Sequence, residues 1–208
     1  PKVPYRGVSH WDWRWILDYS GGQLTDWAGH HIDIANWGAG LEHTGPVEIS
    51  GSGVYPPEGI YNAPVEYDFM CKYANGIEMR VASSSRLEHG MGTTWYGDLG
   101  WVHTDRGNVL TASKPEILQE VIGENEIHLY DSPNHWQNFV DCVKSGKQAI
   151  APIEPAYRAI SVALLGEIAM TTGETIKWDP EKEEIIGNPR AARLLSRPYR
   201  KPWTLPTV

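Results

Sequence analysis

The chain has 208 residues and a formal net charge of −8, because 26 acidic side chains outnumber 18 basic ones. Hydrophobic residues make up 41% of the chain and charged residues 21%, which are the proportions of a globular domain with a sizeable core. The acidic balance argues against nucleic acid as a partner. No apolar run approaches the roughly 18 residues of a membrane span, so we expect no membrane partner either.

The first predicted helix has two chemically different sides. It follows a lead-in over residues 1–20 and extends from Leu24 to Trp37, with Gly38-Ala39-Gly40 as its stop signal. At 100° per residue, one side collects the apolar residues Leu24, Ala28, Ile32 and Ala35. The opposite side collects, within about 60° of one another, four residues that we call the stripe: Asp26, His30, Asp33 and Trp37.

The stripe has a catalytic and a structural interpretation. Near a helix N-terminus the dipole favours the ionised carboxylate of Asp26, which would orient His30 as a proton-transfer base. A carboxylate four residues before a histidine is also a common surface pair that contributes a few tenths of a kcal/mol. Asp33 either joins such a site or pairs with an arginine. His31 points to another side of the helix, which favours a hydrogen-bonded core histidine. Adjacent histidines point about 100° apart and do not chelate one ion together, so we expect no metal site.

The middle of the chain predicts antiparallel strands. A loop over residues 54–63 is marked by paired prolines and a glycine. Strand patterns follow at 64–74, 77–85, 93–97, 100–105 and 108–112. Asn75-Gly76 is a two-residue hairpin turn between the first two of them. Cys71 in a strand and Cys142 in a later helix form no metal or redox motif, so we expect buried free thiols, with a disulfide as the alternative.

The late part of the chain predicts helices. Ser132 as N-cap and Pro133 at the first helical position begin a helix over residues 133–145. Its apolar residues at core spacing are Trp136, Phe139, Val140 and Val143. A longer helix is predicted over residues 155–172.

These elements indicate one α+β domain over residues 1–208. A short strand at 175–178 and an extended tail over 187–208, laid on the domain, complete the chain. Strands followed by helices, without βαβ alternation, are typical of an open, mainly antiparallel sheet with helices packed on one face.

The order and spacing of several segments carry a family resemblance. Residues 21–33 resemble the signature helix of the glucose–fructose oxidoreductase / inositol dehydrogenase (Gfo/Idh/MocA) family. Residues 96–102 are similar to a strand–turn–strand of that family, and residues 132–139 to its late helix. Residues 194–203 are similar to the tail of a bacterial branch. The resemblance implies that this chain is the C-terminal, substrate-binding domain of such an oxidoreductase.

The resemblance also assigns site residues. Asp26 and His30 match the family's catalytic group, and Asp26 either orients His30 or binds a substrate hydroxyl itself. The candidates for substrate binding are Arg14, Trp15, Tyr19, Asp33 and His135. Arg14 either binds sugar hydroxyls or ties down the lead-in, and His135 either reaches the pocket or caps its helix.

The sequence shows no dinucleotide-binding half. Gly38-Ala39-Gly40 lacks a third glycine and follows a helix, so it does not fit the fingerprint of a Rossmann domain. The resemblance implies NAD or NADP in the full-length parent. We expect this chain to be detached from its Rossmann domain, to bind neither cofactor and to be inactive alone.

The implied function is oxidation of a secondary hydroxyl of a sugar, polyol or glycoside by an NAD(P)-dependent oxidoreductase, so the expected partner is a small carbohydrate or polyol. The alternatives are redox-assisted cleavage or epimerisation with retained NAD(P), and a non-catalytic carbohydrate-binding or dimerisation module. We also expect a soluble homo-oligomer, in the cytoplasm or the periplasm, that associates through an apolar open sheet face. The strand residues behind that expectation are Tyr67, Phe69, Val81, Trp95, Tyr96 and Trp101.

Overall fold

The computed structural model describes residues 9–204, which form two antiparallel sheets and five α-helices. The strands are β1 Glu48–Val54, β2 Glu66–Lys72, β3 Glu78–Ala82, β4 Thr93–Gly97, β5 Gly100–Asp105, β6 Val109–Ala112, β7 Ile176–Asp179 and β8 Glu184–Ile185. The helices are α1 Ser9–Asp12, α2 Trp27–Ala39, α3 His135–Ser145, α4 Ile153–Thr172 and α5 Pro189–Ala192. The strand order is β3-β2-β1-β7-β8 in the large sheet and β4-β5-β6 in the small one. The predicted α+β class is confirmed, with the strands divided between two sheets.

One face of the large sheet carries the core. Because successive strand residues point to opposite faces, Ile49, Phe69 and Val81 lie buried on the same side, in a register that pairs Phe69 with Val81. Helix α4 packs on this face, and α2 packs on α4. The predicted core side of α2 is confirmed, since Ala28 and Ile32 are both buried in the same cluster.

The opposite face of the large sheet is charged. Glu48 and Lys72 are cross-strand partners, and the Lys72 ammonium lies 2.9 Å from the Glu48 carboxylate. Arg80 donates from Nε and Nη2 to the two oxygens of Asp68, at 3.0 and 2.8 Å. Tyr67, Phe69 and Val81 alternate with such residues and therefore lie in the core. The open face thus lacks the apolar residues on which the expected self-association depended.

The small sheet packs against a different side of α2 from the one that faces α4. Thr93 Oγ1 donates to the backbone oxygen of His31 at 2.9 Å, and Trp95 Nε1 donates to that of Ala35 at 3.4 Å. Strand β4 therefore reaches carbonyl groups along α2, and α2 contacts both α4 and the small sheet.

Helix α3 differs from the prediction at its N-cap and in its burial. Asn134 is the N-cap, because its side chain accepts a hydrogen bond from the amide of Gln137 at 3.0 Å, and Ser132 is not. The four apolar residues predicted to be in the core are all exposed: Trp136, Phe139, Val140 and Val143. Periodicity identifies the apolar side of a helix, but it does not say that the same domain covers it.

The chain ends contain more structure than the sequence indicated. The lead-in includes α1 and a 3₁₀ turn at Trp13–Trp15, and the tail begins with α5, capped by Asn188. Residues 1–8 of the predicted lead-in and 205–208 of the predicted tail lie outside the described residues. Both cysteines are buried and free, as predicted, and burial raises the pKa of Cys71 to about 12. Between residues 9 and 204, no helix combines the length and apolarity needed to cross a membrane.

Candidate functional site

The site begins where the chain turns into α2. Gly22 adopts φ +64° in a 3₁₀ turn at Gly22–Leu24, and a Cβ there would lie 2.9 Å from that of Ala63. A glycine is therefore needed for both the backbone conformation and the close approach. The helix starts at Trp27, three residues later than predicted, and Asp26 is its N-cap with φ −91° and ψ −88°. Asp26 thus stands ahead of the helix rather than within it.

Arg14 is the ion-pair partner of Asp26. The Nε atom of Arg14 lies 3.5 Å from Asp26 Oδ2. The guanidinium lies over two indole rings, 4.5 Å from the ring centroid of Trp11 and 5.2 Å from that of Trp13, and Nη1 donates to the Trp11 carbonyl at 3.2 Å. Cation–π contacts of this kind restrict the orientation of the guanidinium. Arg14 is therefore held in place and ties the lead-in to the start of α2.

His30 is exposed on the outer side of α2. Its ring lies edge-on to that of Trp27, with the centroids 6.3 Å apart. Desolvation raises the pKa of Asp33, and the neighbouring His30 acts in the opposite direction on that carboxyl group. Among residues 9–204, no side-chain hydrogen bond or ion pair joins Asp26 to His30. The i, i+4 spacing does not bring them together, because Asp26 is not helical.

The remaining predicted substrate-binding residues are spread over different places. Trp15 is half-buried, and its carbonyl accepts hydrogen bonds from the amides of Asn62 and Ala63 at 3.0 and 3.1 Å, so it anchors the lead-in. Tyr19 is 50% exposed beside that segment. His135 is exposed at the start of α3, where its ring lies edge-on to Trp136. In the described part of the chain, no hydrogen bond, ion pair or ring contact links His135 to α2.

The stripe ends at a cavity of about 270 Å³ beyond the C-terminus of α2. Trp37 lines it together with Glu42, His43 and Tyr130. The aromatic and carboxylate side chains of this wall are suited to a polar ligand with apolar faces. Sequence reasoning identified Trp37, but not the cavity, because its walls come from three distant segments.

A second polar cluster lies between α2 and the small sheet. Both ring nitrogens of His31 are buried without a hydrogen bond, and Nε2 lies 3.8 Å from Asp105 Oδ1. The prediction of a hydrogen-bonded core histidine at this position is therefore wrong, because the sheet presents no donor or acceptor at bonding distance. Burial lowers the pKa of His31 and of His103, whose Nδ1 bonds Thr94 Oγ1 at 2.8 Å. His89 stacks on this cluster, 5.4 Å from the His103 ring centroid.

The described residues differ from a dinucleotide site in topology. Every strand pairing between residues 9 and 204 is antiparallel, so no βαβ unit there presents a helix N-terminus to a pyrophosphate. In the same residues, no three His, Cys, Asp or Glu side chains are arranged to hold a metal ion. The groups available for chemistry are therefore an imidazole, carboxylates and a guanidinium.

Solved structures share this fold. An NAD-binding protein from Listeria innocua is 14% identical over 84% of this chain and 55% of its own, with a TM-score of 0.53. An aldose-aldose oxidoreductase from Caulobacter crescentus, complexed with glycerol, is 16% identical over 79% of this chain and 50% of its own, with a TM-score of 0.54. The WlbA dehydrogenase from Bordetella pertussis, in complex with NADH and UDP-GlcNAcA, is 13% identical over 86% of this chain and 51% of its own, with a TM-score of 0.56. At these identities the likeness shows the fold alone.

The sequence itself identifies the family. No curated protein is significantly similar in sequence. The profile of the Gfo/Idh/MocA oxidoreductase family, C-terminal alpha/beta domain, matches residues 1–205. The chain spans about half the length of the solved structures that it resembles. It therefore belongs to the Gfo/Idh/MocA oxidoreductase family, as a C-terminal α/β domain of that family.

Proposed function

We propose that this chain is the substrate-binding domain of an NAD(P)-dependent oxidoreductase that oxidises a secondary hydroxyl group of a sugar, polyol or glycoside. The observation that supports this most directly is the exposed imidazole of His30, one turn after the Arg14–Asp26 ion pair. The names of the aldose-aldose oxidoreductase and of the dehydrogenase bound to UDP-GlcNAcA suggest a carbohydrate rather than another alcohol.

The proposed chemistry separates a proton from a hydride. His30 accepts the proton of the substrate hydroxyl, the role that histidine most often takes in general base catalysis. Arg14 and Asp26 bind neighbouring hydroxyl groups, Arg14 as donor and Asp26 as acceptor. The hydride leaves to a nicotinamide held by another part of the polypeptide, since the described residues provide no βαβ unit.

The test uses the full-length protein with NAD or NADP and a panel of sugars, polyols and glycosides. We expect His30→Ala to lower turnover by about 10²-fold or more, the range for a lost general base. His128→Ala is the matched control, because His128 is also exposed but hydrogen-bonds the Gly123 carbonyl, away from α2. An unchanged rate in His30→Ala would exclude it as the base and favour a non-catalytic binding module. Product formation without net NAD(P)H would favour redox-assisted cleavage or epimerisation.

Self-association through the open face of the large sheet is a separate part of the proposal. That face carries the Glu48–Lys72 and Asp68–Arg80 pairs, so a contact through it would join charged surfaces. Exposed ion pairs are screened by salt. Light scattering at tens of micromolar protein should therefore give an oligomer at low ionic strength that weakens as salt is added. A monomer under all conditions would remove this part of the proposal.

A further inference from the structure

Helix α3 exposes an apolar side that no other described residue covers. Trp136 is 82% exposed, Phe139 61%, Val140 42% and Val143 69%. These residues stand at positions i, i+3, i+4 and i+7, so they share one side of the helix, which we call the α3 face. A pattern typical of a buried helix side therefore lies in solvent in this domain.

The other side of α3 holds the helix to the domain through polar contacts. Asn138 Nδ2 donates to Tyr130 Oη at 2.8 Å, and Asn138 Oδ1 accepts from the Ile150 amide at 3.1 Å. Cys142 is the buried residue of the helix. An isolated helix of 11 residues is marginal in water, and most helical stability in proteins comes from packing of the apolar side. The sequence of α3 therefore calls for a covering surface that residues 9–204 do not supply.

The size of the α3 face helps to decide what covers it. Four side chains at these exposures leave on the order of 500 Å² of surface, which is as large as the largest apolar patch on a typical monomer. A stable dimer buries about 800 Å² on each partner, more than this face provides. Contacts between domains of one chain start at about 600 Å² in total, or about 300 Å² a side, and the covalent link lowers the entropic cost of association. The α3 face therefore fits a neighbouring domain better than a second copy.

The place of α3 in the fold points to the same occupant. Tyr130, to which Asn138 is bonded, lines the cavity at the C-terminus of α2 together with Trp37 of the stripe. His30 precedes Trp37 by seven residues, or about 10 Å along the helix axis. A domain that reached both His30 and this cavity would therefore come close to α3. The matched part of this chain covers only 50–55% of each of the three solved structures, which leaves room for such a domain in each of them.

We propose that the α3 face is the docking surface for the nucleotide-binding half of the same polypeptide, which would cover it with an apolar surface of its own. This inference rests on the proposed function, because it requires that half to exist. Trp136 and Phe139 supply most of the apolar area of this surface, and Val140 and Val143 extend it.

The test compares hydrogen exchange of residues 135–145 in the full-length protein and in this chain alone. We expect exchange to be about tenfold slower or more in the full-length protein, because docking suppresses local opening of the helix. Phe139→Asp should lower the thermal midpoint of the full-length protein and restore fast exchange, while leaving the midpoint of this chain alone unchanged. Leu99→Asp is the matched control, since Leu99 is 79% exposed in the turn between β4 and β5, and it should change neither protein.

Two results would overturn the inference. Equal exchange of α3 in both proteins would mean that nothing docks on it. A dimer of this chain alone that Phe139→Asp dissociates would show a second copy on the α3 face. Binding of NAD or NADP by the full-length protein is measured in parallel and reports on the proposed function separately. A protein that binds cofactor but leaves α3 unprotected contradicts the docking inference alone.

Discussion

Replacing Gly166 by alanine would test whether one contact sets the position of α4, and through α4 that of α2 and its stripe. A Cβ at Gly166 would lie 2.7 Å from Phe69 Cε1 and closer still to Cε2 and Cζ. Phe69 is only 1% exposed, so its ring has no space into which it could move. The helix and the sheet must therefore separate slightly to accept the methyl group.

Two opposing effects determine the size of the change. Overpacking a core costs about 1–3 kcal/mol, whereas the helix propensity of alanine over glycine favours the variant by about 1 kcal/mol. The overpacking is larger, so we expect the free energy of unfolding to fall by up to about 2 kcal/mol. For a domain of this size that corresponds to a thermal midpoint lower by up to about 8 °C.

A glycine in α2 provides the matched control. A Cβ at Gly29 would have Ile160 Cδ1 at 3.8 Å as its nearest neighbour, an ordinary van der Waals distance. Gly29→Ala should therefore stabilise the chain by up to about 1 kcal/mol. Urea and thermal unfolding, followed by circular dichroism, would measure both variants in this chain alone. A Gly166→Ala variant as stable as the wild type would refute the packing argument. Adding Phe69→Leu to Gly166→Ala should recover part of the loss.

Three further predictions concern charge and cofactor. Burial lowers the pKa of His31 and His103 below the ordinary 6.5, so the unfolded chain binds more protons near that pH. The free energy of unfolding should therefore fall as the pH is lowered through about 6.5. The measurement is the urea midpoint at pH 8 and at pH 5, which should differ less for His31→Gln than for the wild type. If Arg14 positions Asp26, the double variant Arg14→Lys/Asp26→Asn of the full-length protein should lose less kcat/KM than the two single losses combined predict. Losses that combine additively in free energy would indicate that the two residues contact the substrate independently. We expect no binding of NAD or NADP to this chain alone, and calorimetry that gave a micromolar Kd would reveal a dinucleotide site outside the βαβ architecture.

The sequence predicted best what depends on neighbouring residues. Strands β4 and β5 have the predicted bounds, 93–97 and 100–105, because tight turns mark their ends. Strand β1 was missed because Gly51 and Gly53 weaken the strand pattern. Phe69 and the Asp68 carbonyl leave no room for a Cβ at Gly51, whereas a Cβ at Gly53 would lie 3.1 Å from Met170 Sδ and from Tyr55 Cε2, so these side chains would have to shift slightly.

What depends on distant residues could not be predicted from one sequence. The approach of His31 to Asp105 joins positions more than seventy residues apart, and neither local pattern indicates it. The periodicity of α3 correctly identified its apolar side, but the cover for that side is not among the described residues. A local sequence pattern therefore indicates that a side chain needs a partner, but it does not indicate which residue that partner is.

The displaced start of α2 changes the chemical interpretation of the stripe. Helical spacing alone would make Asp26 the group that orients His30, but as the N-cap it faces Arg14, whose guanidinium is already fixed by Trp11 and Trp13. Arg14 is then the ion-pair partner of Asp26, and the His30 ring is left with an aromatic neighbour and the Asp33 carboxyl nearby. A general base needs a defined tautomer and orientation, which a hydrogen bond from a second group normally supplies. If His30 is the base, as proposed, that group would be Asp33, the substrate, or a residue of the half proposed to dock on α3. The proposed function therefore assigns the base and the hydroxyl-binding groups to this chain, and the final orientation of the imidazole would follow from what is bound next to it.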